Sequence, residues 1–412
     1  MEYGLIGERL GHSFSKDVHS MLADYEYEIK EIPRDELDAF MRSADFSAIN
    51  VTIPYKEQVI PYLSYISDEA RLIGSVNTII NRSGKLYGYN TDFFGMTSLI
   101  DKLGITLKGK KTVILGTGGT SKTAFAVAKS LGAYPILTVS RTKKDGAINY
   151  EELLKYHKDA KVIVNTTPVG MYPDNFSSPV DISLFSELEG VIDAIYNPIR
   201  TKLVSDALER GIKAEGGLYM LVAQAIYASE IFFDTRYPKE KSDRIFNEIK
   251  SKKENIVLIG MPASGKTTIA NLLSEQLGRK VYDTDKMIID SQGKSIPEIF
   301  ADEGETAFRS YEAKEVANAS LKNGAVIATG GGAILKSENV KALKQNGVVF
   351  FIDRPYEKLV PTSDRPLASD TEAIKKRYEE RYEIYVSSAD VVIDADDTPT
   401  NIVKKIIGEF YK

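Results

Sequence analysis

The chain has 412 residues, 43% of them hydrophobic and 27% charged, with 30 Gly and 15 Pro. This composition excludes disorder and fibrous repeats, and the length predicts two or three domains. A net charge of −5 with no block of Lys or Arg argues against a nucleic-acid or anionic-membrane partner, and the absence of cysteine excludes disulfide scaffolds, thiolate catalysis and cysteine zinc sites.

Residues 1–7, Met-Glu-Tyr-Gly-Leu-Ile-Gly, read as a short apolar strand and lack the basic and long apolar regions of a signal peptide. Other apolar stretches are too short or too polar to span a bilayer, so the cytoplasm is the expected location. From there on, apolar runs of strand length alternate with helix-period segments, the pattern of an α/β protein with parallel sheets. Four polar constellations precede residue 100: Gly11-His12-Ser13-Phe14-Ser15, Asn50-Val-Thr52-Ile-Pro-Tyr-Lys56, Ser75-Val-Asn77-Thr78 and Asn90-Thr91-Asp92. Each taken singly is an ordinary turn or cap. Together they offer hydroxyls, amides, one ammonium and one carboxylate, the groups that grip a small polyhydroxylated carboxylic acid.

A boundary near residue 100 separates this segment from a strand, Lys111–Gly116, that runs into Gly116-Thr-Gly118-Gly119-Thr-Ser121-Lys122-Thr-Ala124 and a helix over Ala124–Leu131. Strand, glycine turn and helix are the setting of a dinucleotide site, in which glycines let the backbone approach a pyrophosphate at a helix N-terminus. Ser121 or Lys122 stands where the third glycine of that fingerprint belongs. The next strand, 135–140, ends at Ser140 and leads into Arg141-Thr142-Lys143-Lys144. No ribose-binding acid is present there, and the cations suit a 2′-phosphate, so NADP(H) is expected over NAD. Gly116, Gly118, Gly119, Ser140, Arg141, Thr142 and Lys144 are the expected cofactor contacts.

Residues 235–254, with a short amphipathic piece before Ser251-Lys-Lys-Glu254, are the most charged segment with the weakest core pattern and read as a linker, with the major boundary near residue 252. A second strand, Asn255–Gly260, then meets Gly260-Met-Pro-Ala-Ser264-Gly265-Lys266-Thr267 and a helix over Thr268–Leu277. This is a P-loop. Its amides cradle phosphates, Lys266 reaches the transferred phosphoryl group and the Thr267 hydroxyl ligates magnesium, so a nucleoside triphosphate and Mg²⁺ are expected, with Gly260, Ser264, Gly265 and Thr268 as further nucleotide contacts. The motif does not name the acceptor.

At this point the residues resemble known families. His12 to Ser15, Asn50 to Glu57, Gly74 to Thr78, Asn90 to Asp92, the first glycine loop, Asn165-Thr-Thr-Pro168-Val-Gly170-Met171, Asp193-Ala-Ile-Tyr196-Asn-Pro198 and Gly217-Leu-Tyr-Met220-Leu-Val-Ala-Gln224 follow the order of shikimate dehydrogenases, departing at Lys16, where the family usually has proline. The resemblance implies that Ser13 and Ser15 hold a carboxylate, that Thr52, Asn77, Asp92, Tyr196 and Gln224 bind the substrate, that Gly217 meets the cofactor and that Lys56 with Asp92 is the catalytic pair. Residues 253–412 resemble shikimate kinase through the P-loop, Asp283-Thr-Asp285, Gly304-Glu-Thr-Ala-Phe-Arg309, Thr329-Gly-Gly331-Gly332, Arg365-Pro-Leu and Arg381-Tyr-Glu-Ile-Tyr385. That resemblance implies Asp283 near Mg²⁺, Asp285 on the acceptor hydroxyl, Arg309 and Arg381 on its carboxylate, Gly331 and Gly332 against its ring and Arg365 over the phosphates. The stretch 356–364 lacks the arginine that many relatives place before the lid, so Arg354 or Lys358 is expected to substitute in holding adenine.

The expected architecture is an α/β substrate domain (1–100 plus about 225–250), a Rossmann-type NADP domain (101–224) and a P-loop kinase domain of the nucleoside-monophosphate-kinase type with a parallel sheet (253–412). The function these resemblances imply is bifunctional: reduction of 3-dehydroshikimate to shikimate by NADPH, then phosphorylation of shikimate by ATP. Quinate as an alternative dehydrogenase substrate, and a sensor that binds shikimate without chemistry, remain open. Partners are small molecules, with no nucleic acid or membrane, and the oligomeric state is not readable.

Overall fold

The computed structural model describes residues 1–10, 15–22, 24–142, 146–359 and 371–412, leaving aside the side chains of residues 371 and 373. The chain forms two compact units, Met1–Ile249 and Lys250–Lys412.

The first unit holds two sheets. One contains β1 (Tyr3–Gly7), β2 (Glu28–Glu31), β3 (Ala48–Val51), β4 (Tyr65–Ile66), β5 (Thr78–Arg82) and β6 (Lys85–Tyr89) in the order β2-β1-β3-β5-β6-β4. Alternating strands and helices predict a parallel sheet here, but β5 is antiparallel to both β3 and β6. The cause is a two-residue turn: Ser83 at φ 52° and Gly84 at φ 82° both adopt the left-handed conformation that closes a tight hairpin. Helices α1 (Ser15–Leu22), α2 (Leu37–Ser43) and α3 (Asp68–Ile73) belong to this half, and α4 (Thr91–Leu103) leads out of it.

The other sheet contains β7 (Thr112–Leu115), β8 (Ile136–Val139), β9 (Ala147–Ile148), β10 (Val162–Asn165), β11 (Gly190–Asp193) and β12 (Lys213–Glu215), all parallel, in the order β12-β11-β10-β7-β8-β9. β7, β10 and β11 are buried throughout, as expected of strands covered by helices on both faces. The order reverses beside β7, and the first glycine loop lies at that switch point, where such folds bind nucleotides. α5 (Gly119–Ser130), α6 (Tyr150–Tyr156) and α7 (Lys202–Glu209) cross between strands. α5 begins at Gly119 with Gly118 as its N-cap, five residues before the start expected from the apolar pattern, because its first turn is Gly-Thr-Ser-Lys-Thr and exposes little hydrophobic signal.

α8 (Leu218–Phe233) packs against α4, and α9 (Lys239–Lys253) follows. The segment read as a linker is therefore largely helical. Only Ile245, Phe246 and Ile249 carry its apolar face, and they join the core that α4 and α8 share with the Rossmann strands. Three residues on a strongly charged helix give a weak periodicity but enough contact to dock it.

The second unit is one parallel sheet, β13 (Asn255–Ile259), β14 (Val281–Asp283), β15 (Val326–Ala328), β16 (Gly347–Asp353) and β17 (Val391–Asp394), in the order β14-β15-β13-β16-β17. α10 (Lys266–Leu277), α11 (Thr284–Gln292), α12 (Ile296–Asp302), α13 (Gly304–Ser320), α14 (Ser337–Asn346), α15 (Thr371–Ser388) and α16 (Pro399–Phe410) surround it. One apolar cluster centres on Val257, Ile259 and Phe351, and a second on Ile256, Leu258 and Phe350. Alternate residues of β13 and β16 thus serve opposite cores, which fixes the register of the central strands.

Candidate active sites

In the first unit a cavity of about 460 Å³ opens between the two sheets. Ser15, Thr52, Lys56, Asn77, Asp92, Tyr196, Gly217 and Gln224 all line it. These residues come from six separate stretches of sequence, and the fold brings them together. Ser13 lies outside the described residues.

The central feature is an ion pair. Lys56 Nζ donates to Asp92 Oδ2 at 2.5 Å, and both side chains are partly buried, 27% and 19% exposed. Asp92 sits in the first turn of α4, where the helix dipole favours a carboxylate. The neighbouring amides are oriented by protein contacts. Asn77 Oδ1 accepts the Thr91 backbone N–H at 2.7 Å, and Gln224 Oε1 accepts from the Thr91 hydroxyl at 3.3 Å. Each amide oxygen is thereby occupied, leaving the amide nitrogens as donors for the cavity. Gln224 comes this close because α8 runs against α4 at Gly95, where a Cβ would stand 2.6 Å from Met220 O.

The sequence reading gave no role to Arg9, Asn50, Thr120 or Met220, which also line the cavity. Asn50 was visible as the first residue of its motif. Its Oδ1 accepts from Tyr27 and its Nδ2 donates to Thr78 Oγ1, which pins β3 to β5 under the site. Two further motifs lock each other: Asp193 accepts from Asn165 Nδ2 at 3.0 Å, Ile195 N at 3.0 Å and Thr201 Oγ1 at 2.7 Å. Burial pushes the Asp193 carboxyl up to about 6, against three donors that favour its charged form. The lock holds Ala194 and Tyr196 at the cavity wall.

At the cofactor loop, Ser121 Oγ donates to Gly116 O at 2.7 Å. Ser121 thus fills the third-glycine position inward, and Lys122 turns outward to Glu57 at 2.7 Å. Ser140 closes β8, accepting the Thr142 backbone N–H at 3.3 Å, and Arg141 is exposed beside it. Lys144 lies outside the described residues.

In the second unit, the P-loop bends through Gly260 (φ 153°), Ala263 (φ 64°) and Gly265 (φ 93°) into α10. Lys266 is 6% exposed, and its Nζ donates to Gly260 O at 2.8 Å and Met261 O at 2.9 Å. Ser264 is buried beneath it, while Thr267 and Thr268 are exposed on the first turn. Thr267 Oγ1 donates to Asp283 Oδ2 at 2.9 Å, and Asp283 Oδ1 caps α11 through the backbone N–H groups of Asp285 and Lys286.

The loop 330–332 is a hub for the remaining residues. A Cβ on Gly330 would stand 2.4 Å from Asp285 Oδ1, and one on Gly332 would stand 2.0 Å from Arg309 Nη1. Arg381 Nη1 donates to Gly331 O at 3.3 Å, and the Tyr385 hydroxyl also donates to that carbonyl. Arg309 is held by Glu312 at 2.9 Å and Glu305 at 2.9 Å. Glu312 was missed in the sequence, where a glutamate on a charged helix reads as solvated. It is 2% exposed, and burial raises its carboxyl against the pull of Arg309. Arg365 lies outside the described residues. Lys358 is engaged by Asp396, whereas Arg354 stands by the P-loop at Gly265.

The comparisons with known proteins follow this division. Residues 5–79 match the family model of the shikimate dehydrogenase substrate binding domain, and residues 262–410 match that of shikimate kinase. An NADP(+) shikimate dehydrogenase of Clostridium perfringens is 35% identical over 268 residues, 61% of this chain and 98% of the relative. The solved shikimate dehydrogenase 1 of Peptoclostridium difficile is 41% identical, with a TM-score of 0.55 over 60% of this chain and 98% of that one. The Thermus thermophilus shikimate 5-dehydrogenase, solved in complex with NADP(H) and shikimate, is 26% identical, with a TM-score of 0.55 over 60% of this chain and 99% of that one. The chain belongs to the shikimate dehydrogenase family and carries a shikimate kinase domain after it.

Proposed function

We propose that the first unit reduces 3-dehydroshikimate to shikimate with NADPH and that the second phosphorylates shikimate with ATP, in the cytoplasm. The observation that carries this reading is the Lys56–Asp92 pair in a cavity that also holds the amides of Asn77 and Gln224. The nicotinamide, when bound, supplies a hydride to the ketone carbon. The ketone oxygen then gains negative charge and needs a proton. Lys56 gives that proton, and Asp92 orients the ammonium and stabilises it until then. Ser15 holds the carboxylate, Thr52, Asn77 and Gln224 take the ring hydroxyls, and the exposed Arg141 meets the 2′-phosphate.

In the second unit Asp285 accepts the proton of the hydroxyl that attacks the terminal phosphoryl group of ATP, while Arg309 and Arg381 hold the substrate carboxylate with bidentate donors. Lys266 leaves the carbonyls of Gly260 and Met261 for the transferred phosphoryl group. The residues fit a magnesium ion: a hydroxyl and a carboxylate, Thr267 and Asp283, stand 2.9 Å apart, and such a hard cation takes few protein oxygens and completes its shell with phosphate and water. Bound there, it would neutralise phosphate charge.

A coupled assay tests the proposal. With 3-dehydroshikimate, NADPH, ATP and Mg²⁺, NADPH loss is followed by ADP formation, and neither product forms without the ketone. Oxidation of quinate at a rate matching that of shikimate would broaden the first activity, and binding of shikimate with no turnover of either nucleotide would refute both.

A further inference from the structure

Arg354 follows β16 directly, at the carboxyl edge of the sheet where β13 gives way to the P-loop. Its guanidinium Nη1 stands 3.9 Å from the position a Cβ on Gly265 would take, Gly265 being the N-cap of α10. Its Nε is buried with no hydrogen-bond partner, although an arginine carries five donors and an unmade buried donor is costly. Of the acids nearest in sequence, Asp353 accepts the hydroxyls of Tyr378 and Tyr382, and Glu357 is exposed to solvent. Lys358, the other cation on this segment, is neutralised by Asp396. Among the described residues Arg354 has no carboxylate partner. A partly buried guanidinium with no carboxylate partner among the described residues thus lies against the loop whose amides and helix dipole already select an anion.

We infer that Arg354 is a nucleotide-binding residue of the kinase, contacting the phosphate chain of ATP on the outer side of the P-loop at Gly265. It adds a second cation to the one Lys266 provides. A planar fork suits two phosphate oxygens at once, which explains an arginine here in place of a second lysine. Its role is affinity for the nucleotide; it takes no part in holding the acceptor, whose ligands gather around residues 330–332.

The inference rests on the kinase reading of the second unit, and binding separates the two. Calorimetry on the full chain measures inorganic tripolyphosphate, ATP, GTP and shikimate in turn. Arg354→Ala is expected to weaken tripolyphosphate, ATP and GTP alike, by about tenfold as for loss of one charge-assisted contact, and to leave shikimate affinity within about twofold. Tripolyphosphate affinity unchanged by the substitution overturns the inference, even if ATP affinity falls, since the contact would then be to the base. If Arg354→Ala also loses shikimate binding, Arg354→Lys decides: shikimate affinity retained with weakened tripolyphosphate supports the contact, and unchanged tripolyphosphate refutes it. A wild-type chain that phosphorylates shikimate while Arg354→Ala binds tripolyphosphate normally would overturn this inference alone. One that binds neither ATP nor tripolyphosphate would overturn the kinase reading with it.

Discussion

Both glycine loops join a buried parallel strand to a helix, yet they treat charge differently. The loop at Gly116 keeps no cation inside: Ser121 closes it with a neutral hydrogen bond, Lys122 faces away to Glu57, and the expected cation, Arg141, waits at the end of the next strand. The loop at Gly260 folds Lys266 into itself, almost wholly buried on two of its own carbonyls. A pyrophosphate that is held and released intact needs amides and a peripheral anchor. A phosphoryl group that leaves its donor builds charge in transit, and an internal ammonium meets that charge. The proposed acid–base groups differ too: Lys56 is paired with a carboxylate directly, whereas Asp285 stands beside a glycine loop that accommodates it by lacking side chains.

The contrast can be broken by substitution. Asp92→Asn removes the anion that orients Lys56, and dehydrogenase kcat should fall by about 100-fold or more, with kinase turnover untouched; a change confined to KM would mean that Asp92 only binds substrate. Gly332→Ala puts a methyl where the Arg309 guanidinium lies. Because that group is the mobile end of a side chain, it should yield, so the acceptor KM should rise about tenfold, the worth of a displaced charge-assisted contact, with ATP KM and melting temperature nearly unchanged.

Asp193→Asn tests the lock under the dehydrogenase cavity. A carboxyl raised in the fold to about 6 contributes stability that is full below its unfolded value near 4 and lost as pH rises through 6. The asparagine variant lacks this titration, so between pH 5 and pH 8 the wild-type advantage over it in urea unfolding should shrink by about 1 to 2 kcal/mol. A difference flat with pH would mean that the three donors keep Asp193 charged throughout. Smallest of all, Glu57→Gln breaks an exposed ion pair, half or more of each side chain being in solvent, and stability should change by less than about 1 kcal/mol.

What the sequence disclosed follows from how each feature is encoded. The glycine loops were legible because strand, turn residues and helix lie in one short stretch. The Ser83–Gly84 hairpin was missed because the alternation of strands and helices outweighed a turn without the usual Asn or Asp. α9 was read as a linker because only Ile245, Phe246 and Ile249 reveal its buried face. Gly95 acts through Met220 and Gln224, distant in sequence, and Glu312, although one helical turn from Arg309, lies against the distant Gly330, so no local pattern marks either. The cavity residues were recognisable as motifs, but which amide atoms face the substrate is a matter of hydrogen bonding that only the folded chain defines.

The account's central claim is that two separate sites act on one metabolite, and reciprocal inactivation tests it most directly. With both activities measured on each full-length variant, Lys56→Ala should lose dehydrogenase turnover by about 100- to 10,000-fold and phosphorylate added shikimate at the wild-type rate, while Lys266→Ala should do the reverse. Loss of both activities in either variant, from protein that still binds shikimate, would contradict the claim.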